Sequence, residues 1–437
     1  MTTPTQKERG GGPRASSAHG PSPLWHRRST CRVCKGTELV PFLSLGDQPL
    51  ANHFLTEEEL ATSEARFPLV AYYCEGCGLA QLLDVVEPEL LFRDYPYFSS
   101  ASQPLVDHFA RAASEIAQRY LHGPDDVVCE IGSNDGVFLK NFRGTARIVG
   151  VDPAENIAAI ANDQGVPTQP EFFTGPLAED IRRTHGEAKV IFAANVFASI
   201  DDLDEVMKGV RTLLRPDGVF ILEVHRLADI LRNKCFDQIY HEHLSYFTIQ
   251  PLTVLMDRFG MRIFDVQKIP VHGESFRLHV AKTDSQHVQE ETVAKIGEEE
   301  SRSGLTDLQT YLSYAEEVEE LKTRLRKMVR SLQSDGKRIV GYGAPAKGNI
   351  LLNFCEIDRT MVEYIIDTTP TKQGLFTPGS RIPIYPPEKL QEERPDYLLL
   401  LAWNYADYIL DKEQWLIDQH VKFIIPIPDP IIVQYEN

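Results

Sequence analysis

Val128-Cys-Glu-Ile-Gly-Ser-Asn-Asp-Gly136, answered by Val149-Gly-Val-Asp152, decides how this chain is read. An apolar strand over Val127–Ile131 contains Glu130. A tight turn then carries Gly132, Ser133, Asn134 and Gly136, and a helix is expected over Val137–Phe142. Glycine lets the backbone approach a ligand, and a turn opening a helix aims amide N–H groups at it. The second strand, Ile148–Val151, leads into Asp152, suited to accept hydrogen bonds from ribose hydroxyls. This is a nucleoside site at the carboxyl edge of a parallel sheet. Its spacing, E-x-G-x-x-x-G, is not the G-x-G-x-x-G of dinucleotide enzymes. Another mononucleotide fold is the competing reading of the turn taken alone.

The turn resembles the S-adenosylmethionine (SAM) site of class I methyltransferases. In such a site Glu130, Gly132, Ser133, Asn134, Gly136 and Asp152 surround the cofactor. Asn195, following the strand Val190–Ala194, falls beside the adenine and the methyl-bearing sulfonium. Phe172 and Phe173 either flank the purine or are ordinary core aromatics.

At 437 residues and 42% hydrophobic content, the chain has material for two to four packed units. No apolar run approaches the roughly 18 residues of a membrane span. A formal charge of −18 argues against a general affinity for nucleic acid, whose phosphates demand a basic face. Two C-x-x-C pairs among seven cysteines suggest a reducing compartment and a metal rather than disulfides. We therefore expect a cytoplasmic protein that is a monomer or weak homo-oligomer. Residues 1–28, rich in Gly, Pro, Ser and basic residues, read as a disordered tail. Their arginines faintly suggest a transit peptide, but the Gly and Pro content opposes the amphipathic helix this needs.

Four blocks follow. Residues 29–92 hold the cysteine pairs among short strands, and 93–285 alternate strands and helices. Further strands there are Gly218–Val224, Met261–Lys268 and Phe276–Ala281. A charged helical stretch over 286–332 carries an apolar stripe of Leu308, Leu312, Ala315, Val318, Leu321 and Leu325. A second α/β unit opens at Arg338, with later strands at Met361–Ile366, Tyr397–Leu401 and Phe423–Ile425. Residues 286–437 are taken together as this helical connection and a C-terminal Rossmann-like domain.

Cys31-Arg-Val-Cys34 and Cys74-Glu-Gly-Cys77 can each grip one side of a tetrahedral ion. Four thiolates suit Zn2+ and leave no open position for substrate, so the metal is structural. Tyr240-His-Glu-His243 gathers four groups able to hold or move protons. A second metal site or a merely structural cluster competes with that reading, although H-E-H is not the H-E-x-x-H of zinc hydrolases. Asp94-Tyr-Pro-Tyr-Phe-Ser-Ser-Ala-Ser102, with Tyr95 and Tyr97, is either a substrate-binding stretch or a linker packing its aromatics. His272-Gly-Glu-Ser275 forms a further candidate substrate loop. Gly341-Tyr-Gly-Ala-Pro-Ala-Lys-Gly-Asn349, with Tyr342 and Lys347, could cradle a diphosphate but lacks Walker A spacing.

In sequence, these pieces resemble the three-part C-methyltransferases that act on nucleotide-linked deoxy-keto-sugars in antibiotic sugar pathways. The resemblance spans about residues 30–430 and includes Tyr397-Leu-Leu-Leu-Leu-Ala-Trp-Asn404. It implies an α/β chain: a four-cysteine zinc-binding domain, a class I SAM domain and a second Rossmann-like domain. It implies His243 as the base that removes a proton alpha to a ketone, with Glu242 orienting it. Tyr240, helped by Tyr97, would hydrogen-bond the keto or enolate oxygen, and the turn around Lys347 would anchor the nucleotide diphosphate. The chain departs from the pattern twice: Ser199 replaces a frequent histidine, and Glu274 replaces the second glycine of H-G-G-S. A relative methylating another small-molecule carbon or a heteroatom is the alternative. A nucleic-acid methyltransferase would need a basic face and an N-P-P-Y-like tetrad, neither of which is found.

Overall fold

Apolar runs that alternate with helical segments pair into a seven-stranded central sheet. Its strands are β1 (Val127–Ile131), β2 (Arg147–Val151), β3 (Thr168–Gln169), β4 (Ala188–Ala194), β5 (Leu214–His225), β6 (Met261–Ile269) and β7 (Ser275–Lys282). They lie in the order 3-2-1-4-5-7-6, with β7 alone antiparallel to its neighbours. Strand β1 is buried throughout because both faces of the sheet are covered. Val127, Cys129 and Ile131 join the core on one face, and Val128 joins the core on the other. The computed structural model describes residues 24–95, 98–271 and 274–433. Residues 1–23, Tyr97 and His272 lie outside the described residues.

The C-terminal unit is a six-stranded sheet built around Ile339–Tyr342, parallel except for its last strand, Ile431–Val433. The N-terminal sheet contains Leu39–Gln48, Phe67–Cys74 and Ala80–Leu82. Its fourth strand, Ser245–Tyr246, comes from the middle of the chain, with Ser245 opposite Gln81 and Tyr246 opposite Ala80. The small N-terminal unit therefore has little core of its own. Leu43, Leu45, Leu69 and Ala71 share one apolar cluster with the long helix Leu308–Ser334 and one face of the C-terminal sheet. Tyr311 of that helix meets the rings of Phe42 and Tyr73 at 5.2 and 4.6 Å.

Several local expectations are corrected. Trp25–Arg27 is a strand paired with Asp84–Val86, and the Arg27 guanidinium grips buried Asp84 at 2.7 and 2.8 Å. The chain is thus ordered four residues before the expected end of the tail. Only a 3-10 turn, Leu139–Phe142, forms where a helix was expected, because Phe138, Leu139 and Phe142 are all drawn into the core. The connecting stretch is two helices, Glu291–Arg302 and Leu308–Ser334, broken at Gly304 with φ +73°. Its buried stripe includes Tyr311 and Tyr314, where an aliphatic-only reading placed Leu308, Leu312 and Ala315. The strand expected over Met361–Ile366 shrinks to Ile365–Ile366, since the Met361 and Val362 amides close a turn on the Asp358 carbonyl.

The cysteine pairs converge. All four Sγ atoms lie within 4.8 Å of one another, with Cys31–Cys77 at 3.6 Å and Cys34–Cys74 at 3.5 Å. A tetrahedral Zn2+ with Zn–S bonds of about 2.3 Å holds sulfurs roughly 3.8 Å apart. The amides of Val33 and Gly36 point at Cys31 and Cys34 Sγ, each at 3.4 Å, as thiolate ligands favour. Between the knuckle cysteines, buried Arg32 donates to Asp201 at 3.1 Å and to the carbonyls of Leu82 and Leu244. The metal site is thereby coupled to the residue directly after His243. Purified protein should carry close to one zinc per chain by metal analysis. Cys74→Ser should lose it, lower the melting temperature by several degrees and speed amide exchange at 244–246. Unchanged folding and zinc content would rule out this role.

Candidate active site

The turn after β1 is fixed by contacts that only glycine permits. Gly132 has φ +71°, and a Cβ there would lie 2.9 Å from Val196. The Asp152 carboxylate accepts the amides of Asn134 at 2.8 Å and Ala154 at 3.0 Å, which locks both the turn and the acid. The backbone amides of Ser99 and Ser100 bond to the side chains of Asn134 and Asp135, so these two serines sit against the turn. At the end of β4, Asn195 takes a left-handed conformation, φ +57°, and its amide donates to the Glu223 carbonyl at 2.9 Å. Its buried Oδ1 has no partner among the described residues, nor do Glu130 Oε2 and Ser133 Oγ.

This pocket is acidic. Burial lifts the Glu130 carboxyl well above its usual range, and Asp152, Asp135 and Glu223 add to the rise. Asp152 is raised mainly by burial, against the two amides that favour its charge. A cationic ligand relieves such crowding. The sulfonium and ammonium of SAM match that demand, and the ribose hydroxyls match the remaining lone pairs of Asp152. Phe173 is not part of it: its ring is core, packed by Gly209. Phe172 lies under the Arg93 guanidinium at 5.0 Å.

Beside the carboxyl ends of β4 and β5 the segment 235–247 brings in the proton-handling groups. His243 Nδ1 lies 3.1 Å from the Gln238 carbonyl, so this nitrogen carries the proton. Its Nε2 lone pair then faces the Tyr240 hydroxyl at 3.0 Å. Among the described residues, Glu242 makes no hydrogen bond to His243. Its carboxylate instead accepts from Asn52 at 2.7 Å and from the Tyr95 hydroxyl at 3.1 Å, tying the N-terminal unit to the stretch that holds Tyr95. Burial raises Glu242 to about 7. Ser275 opens β7 opposite His225, donating its hydroxyl to the Val271 carbonyl. Glu274 sits at φ +110°, a conformation natural to glycine, and its carboxylate is committed to buried Arg226 at 2.8 Å. Ser199 ends the short turn Phe197–Ser199, whose Ala198 carbonyl accepts the Leu244 amide at 2.7 Å.

Of the C-terminal candidates, Tyr342 is placed differently from expectation. Tyr342 is buried on the sheet face turned away from the shared core and donates to Glu413 at 2.6 Å, so it does not face a central substrate. Lys347 lies over Trp403 at 4.3 Å and bonds Asn404, facing buried Asp237. Two residues passed over in the sequence stand out here. Asp367 accepts the Ala344 amide at 2.6 Å and the Thr369 amide at 2.7 Å, the arrangement Asp152 makes in the central unit. Its signal, an acid after Ile365-Ile366, was available. Lys372 places its ammonium 2.8 Å from the Ala344 carbonyl and over the Phe54 ring.

Family models match three stretches: a zinc binding domain over 31–92, a methyltransferase domain over 106–266, and a C-methyltransferase C-terminal domain over 270–428. The chain is 40% identical over 408 residues to the C-methyltransferase NovU of Streptomyces niveus, covering 93% of this chain and 97% of that one. The chain belongs to the three-domain C-methyltransferase family. It is a SAM-dependent C-methyltransferase with a four-cysteine zinc site. Solved structures resemble it only in part. A chain of the complex between the Haloferax volcanii Trm112 methyltransferase activator and its methyltransferase is 13% identical, with TM-score 0.33, over 42% of this chain and 94% of that one. A SAM-dependent methyltransferase from Thermotoga maritima is 19% identical, with TM-score 0.32, over 41% and 92%. Among the described residues, no helix of the methyltransferase is long and apolar enough to cross a membrane.

Two outcomes follow from this geometry. Asp152→Asn keeps the size of the side chain but removes its charge. Its affinity for SAM should fall by on the order of 1–3 kcal/mol in calorimetry, and unaltered affinity would displace the cofactor from this turn. Glu242 binds protons more tightly folded than unfolded, so its contribution to stability is full below pH 4.5 and is lost as pH rises to about 7. Denaturant titrations should show Glu242→Gln gaining on the wild type across that window, by about 3 kcal/mol at most. Parallel curves for the two proteins would contradict it.

Proposed function

We propose that this C-methyltransferase adds a methyl group to the carbon alpha to the ketone of a nucleotide-linked deoxy-keto-sugar, through a base-generated enolate. The observation that carries the proposal is the Tyr240–His243 pair, with His243 Nδ1 held on a backbone carbonyl and Nε2 turned to the Tyr240 hydroxyl. A C–H beside a ketone is acidic only when its anion is stabilised, so a positioned base and a donor to the oxygen are both required. His243 is the base, acting on the α-proton directly or by drawing the proton of Tyr240 as the phenolic oxygen takes it. Tyr97 and His272 are assigned to the substrate side by the family resemblance alone.

SAM, when bound at Gly132, Asp152 and Asn195, supplies an electrophilic methyl group. The protein's part is to hold the acceptor carbon beside it, to exclude water and to take one proton. The nucleotide end of the acceptor is assigned to the turn Gly343–Lys347. Two half-buried ammonium groups flank that turn, Lys347 and Lys372, and burial pulls the pKa of each below its ordinary value. A diphosphate restores the charge that burial disfavours. In a chain of net charge −18 such a pair of lysines is poorly explained as a solvated face.

His243→Asn should cut methylation about 10²–10⁴-fold, the usual worth of a general base, while leaving SAM affinity unchanged. Wild-type protein with acceptor and the demethylated cofactor product should exchange the α-proton with deuterated water, and the variant should not. Near-normal methylation by the variant would overturn the assignment and favour a heteroatom acceptor, which needs no strong base.

A further inference from the structure

A buried carboxylate costs free energy unless something pairs with it. Asp237, in the short turn Phe236–Gln238, is fully buried. Trp403 of the C-terminal unit is its one side-chain hydrogen-bond partner among the described residues, with Nε1 donating to Oδ2 at 2.6 Å. Burial lifts the Asp237 carboxyl to about 6, against the Lys347 charge and the Trp403 N–H, which both favour the ionised form. Lys347 in turn places its ammonium 4.3 Å from the centroid of the Trp403 ring and bonds Asn404. One indole thus carries Lys347 on its face and Asp237 at its edge.

Packing reinforces this contact. Phe236 is buried against Phe354, with ring centroids 5.0 Å apart, at the far end of the helix Ala346–Phe354. Lys347 lies in the first turn of that helix. Phe236, Ile239, Ile350 and Leu351 belong to one apolar cluster, so the turn 236–238 sits against the element that opens at the lysine. The Gln238 carbonyl lies 3.1 Å from His243 Nδ1. An apolar side chain at 237 would suit the surrounding core without the cost of a buried charge, so packing alone does not account for the carboxylate.

We propose that Asp237 is a positioning residue, which passes the seating of the acceptor's diphosphate at Lys347, through Trp403, to the turn that holds His243. This rests on the proposed reading of the Lys347 turn and of His243 as the base. Binding energy from a remote part of a substrate raises kcat only when it is spent at the reacting centre. A diphosphate drawing on Lys347 fixes the indole beneath it, the indole N–H fixes the Asp237 carboxylate, and the next carbonyl fixes the imidazole.

The test is a cycle of Trp403→Phe, Lys347→Met and the double variant, with a dTDP-linked 4-keto-deoxysugar as the probe acceptor. Trp403→Phe keeps an aromatic face for Lys347 and removes the N–H. It should lower kcat about 10–10²-fold, with acceptor KM, SAM affinity and melting temperature nearly unchanged. Lys347→Met should lower kcat and also raise KM. The double variant should have the kcat of Trp403→Phe, because the link is already cut. Normal kcat in Trp403→Phe would overturn the proposal, and so would losses that multiply in the double variant, the result a merely structural role gives. Should Trp403→Phe fail to fold, Asp237→Leu takes its place in the cycle. Unaltered affinity for dTDP in Lys347→Met would instead sink the diphosphate reading of the turn.

Discussion

The segment 235–247 is the part of the molecule on which the rest depends, because all three units hold it. Ser245 and Tyr246 complete the N-terminal sheet as its edge strand, and Arg32 fastens Leu244 from within the zinc knuckle. Trp403 of the C-terminal unit donates to Asp237 at 2.6 Å, and the next residue, Gln238, supplies the carbonyl that fixes the His243 tautomer. A base must sit within a fraction of an ångström of its proton to be useful. The position of His243, the base of the proposal, is set here by hydrogen bonds arriving from residues 32, 238 and 403, far apart in sequence. The zinc site thus has a physical reason to accompany a methyltransferase: without it the sheet edge that receives Ser245 loses its anchor.

Much of the fold was legible because its signals are local. The strands β1, β2, β4, β5, β6 and β7 follow from continuous apolar runs, and the cysteine spacing specifies its own geometry. The cofactor turn was legible for the same reason, since its glycines and Asp152 are neighbours in one β-turn-β unit. What failed was long-range. Nothing near Glu242 in sequence reveals that its partners are Asn52 and Tyr95, 190 and 147 residues away. Adjacency suggested a Glu242–His243 pair, but alternate residues of an irregular loop turn their side chains in different directions. Tyr342 misled in the same manner. Its motif is real, yet strand alternation sends its ring to the face opposite the shared core.

Family departures are also clearer in three dimensions than in one. Glu274 adds a carboxylate near the acceptor loop, but the buried Arg226 guanidinium takes it up, at 2.8 Å from Glu274 and 2.9 Å from Asp229. The backbone there adopts φ +110°, which any side chain finds unfavourable, so the ion pair offsets strain that glycine would avoid. The change therefore acts on the backbone at Glu274, which Arg226 holds, rather than by adding a free negative charge there.

Two Rossmann-like turns in one chain share a geometry and differ in charge. In each, an acid following the second strand accepts the amide of the first strand's turn and the amide two residues beyond itself: Asp152 with Asn134 and Ala154, Asp367 with Ala344 and Thr369. Such an acid holds the turn open for a ligand whatever that ligand is. The neighbours then select. Around Asp152 stand Glu130 and Asp135, an acidic cluster that favours a cation. Around Asp367 stand Lys372 and, across the same turn, Lys347, whose half-buried ammonium groups favour an anion. A sulfonium cofactor and a diphosphate-bearing acceptor differ in this respect above all, so opposite fields at two similar turns would seat each ligand and reject the other. With the two ends sorted by charge, the proposal leaves only the uncharged keto-sugar between them to Tyr240 and His243.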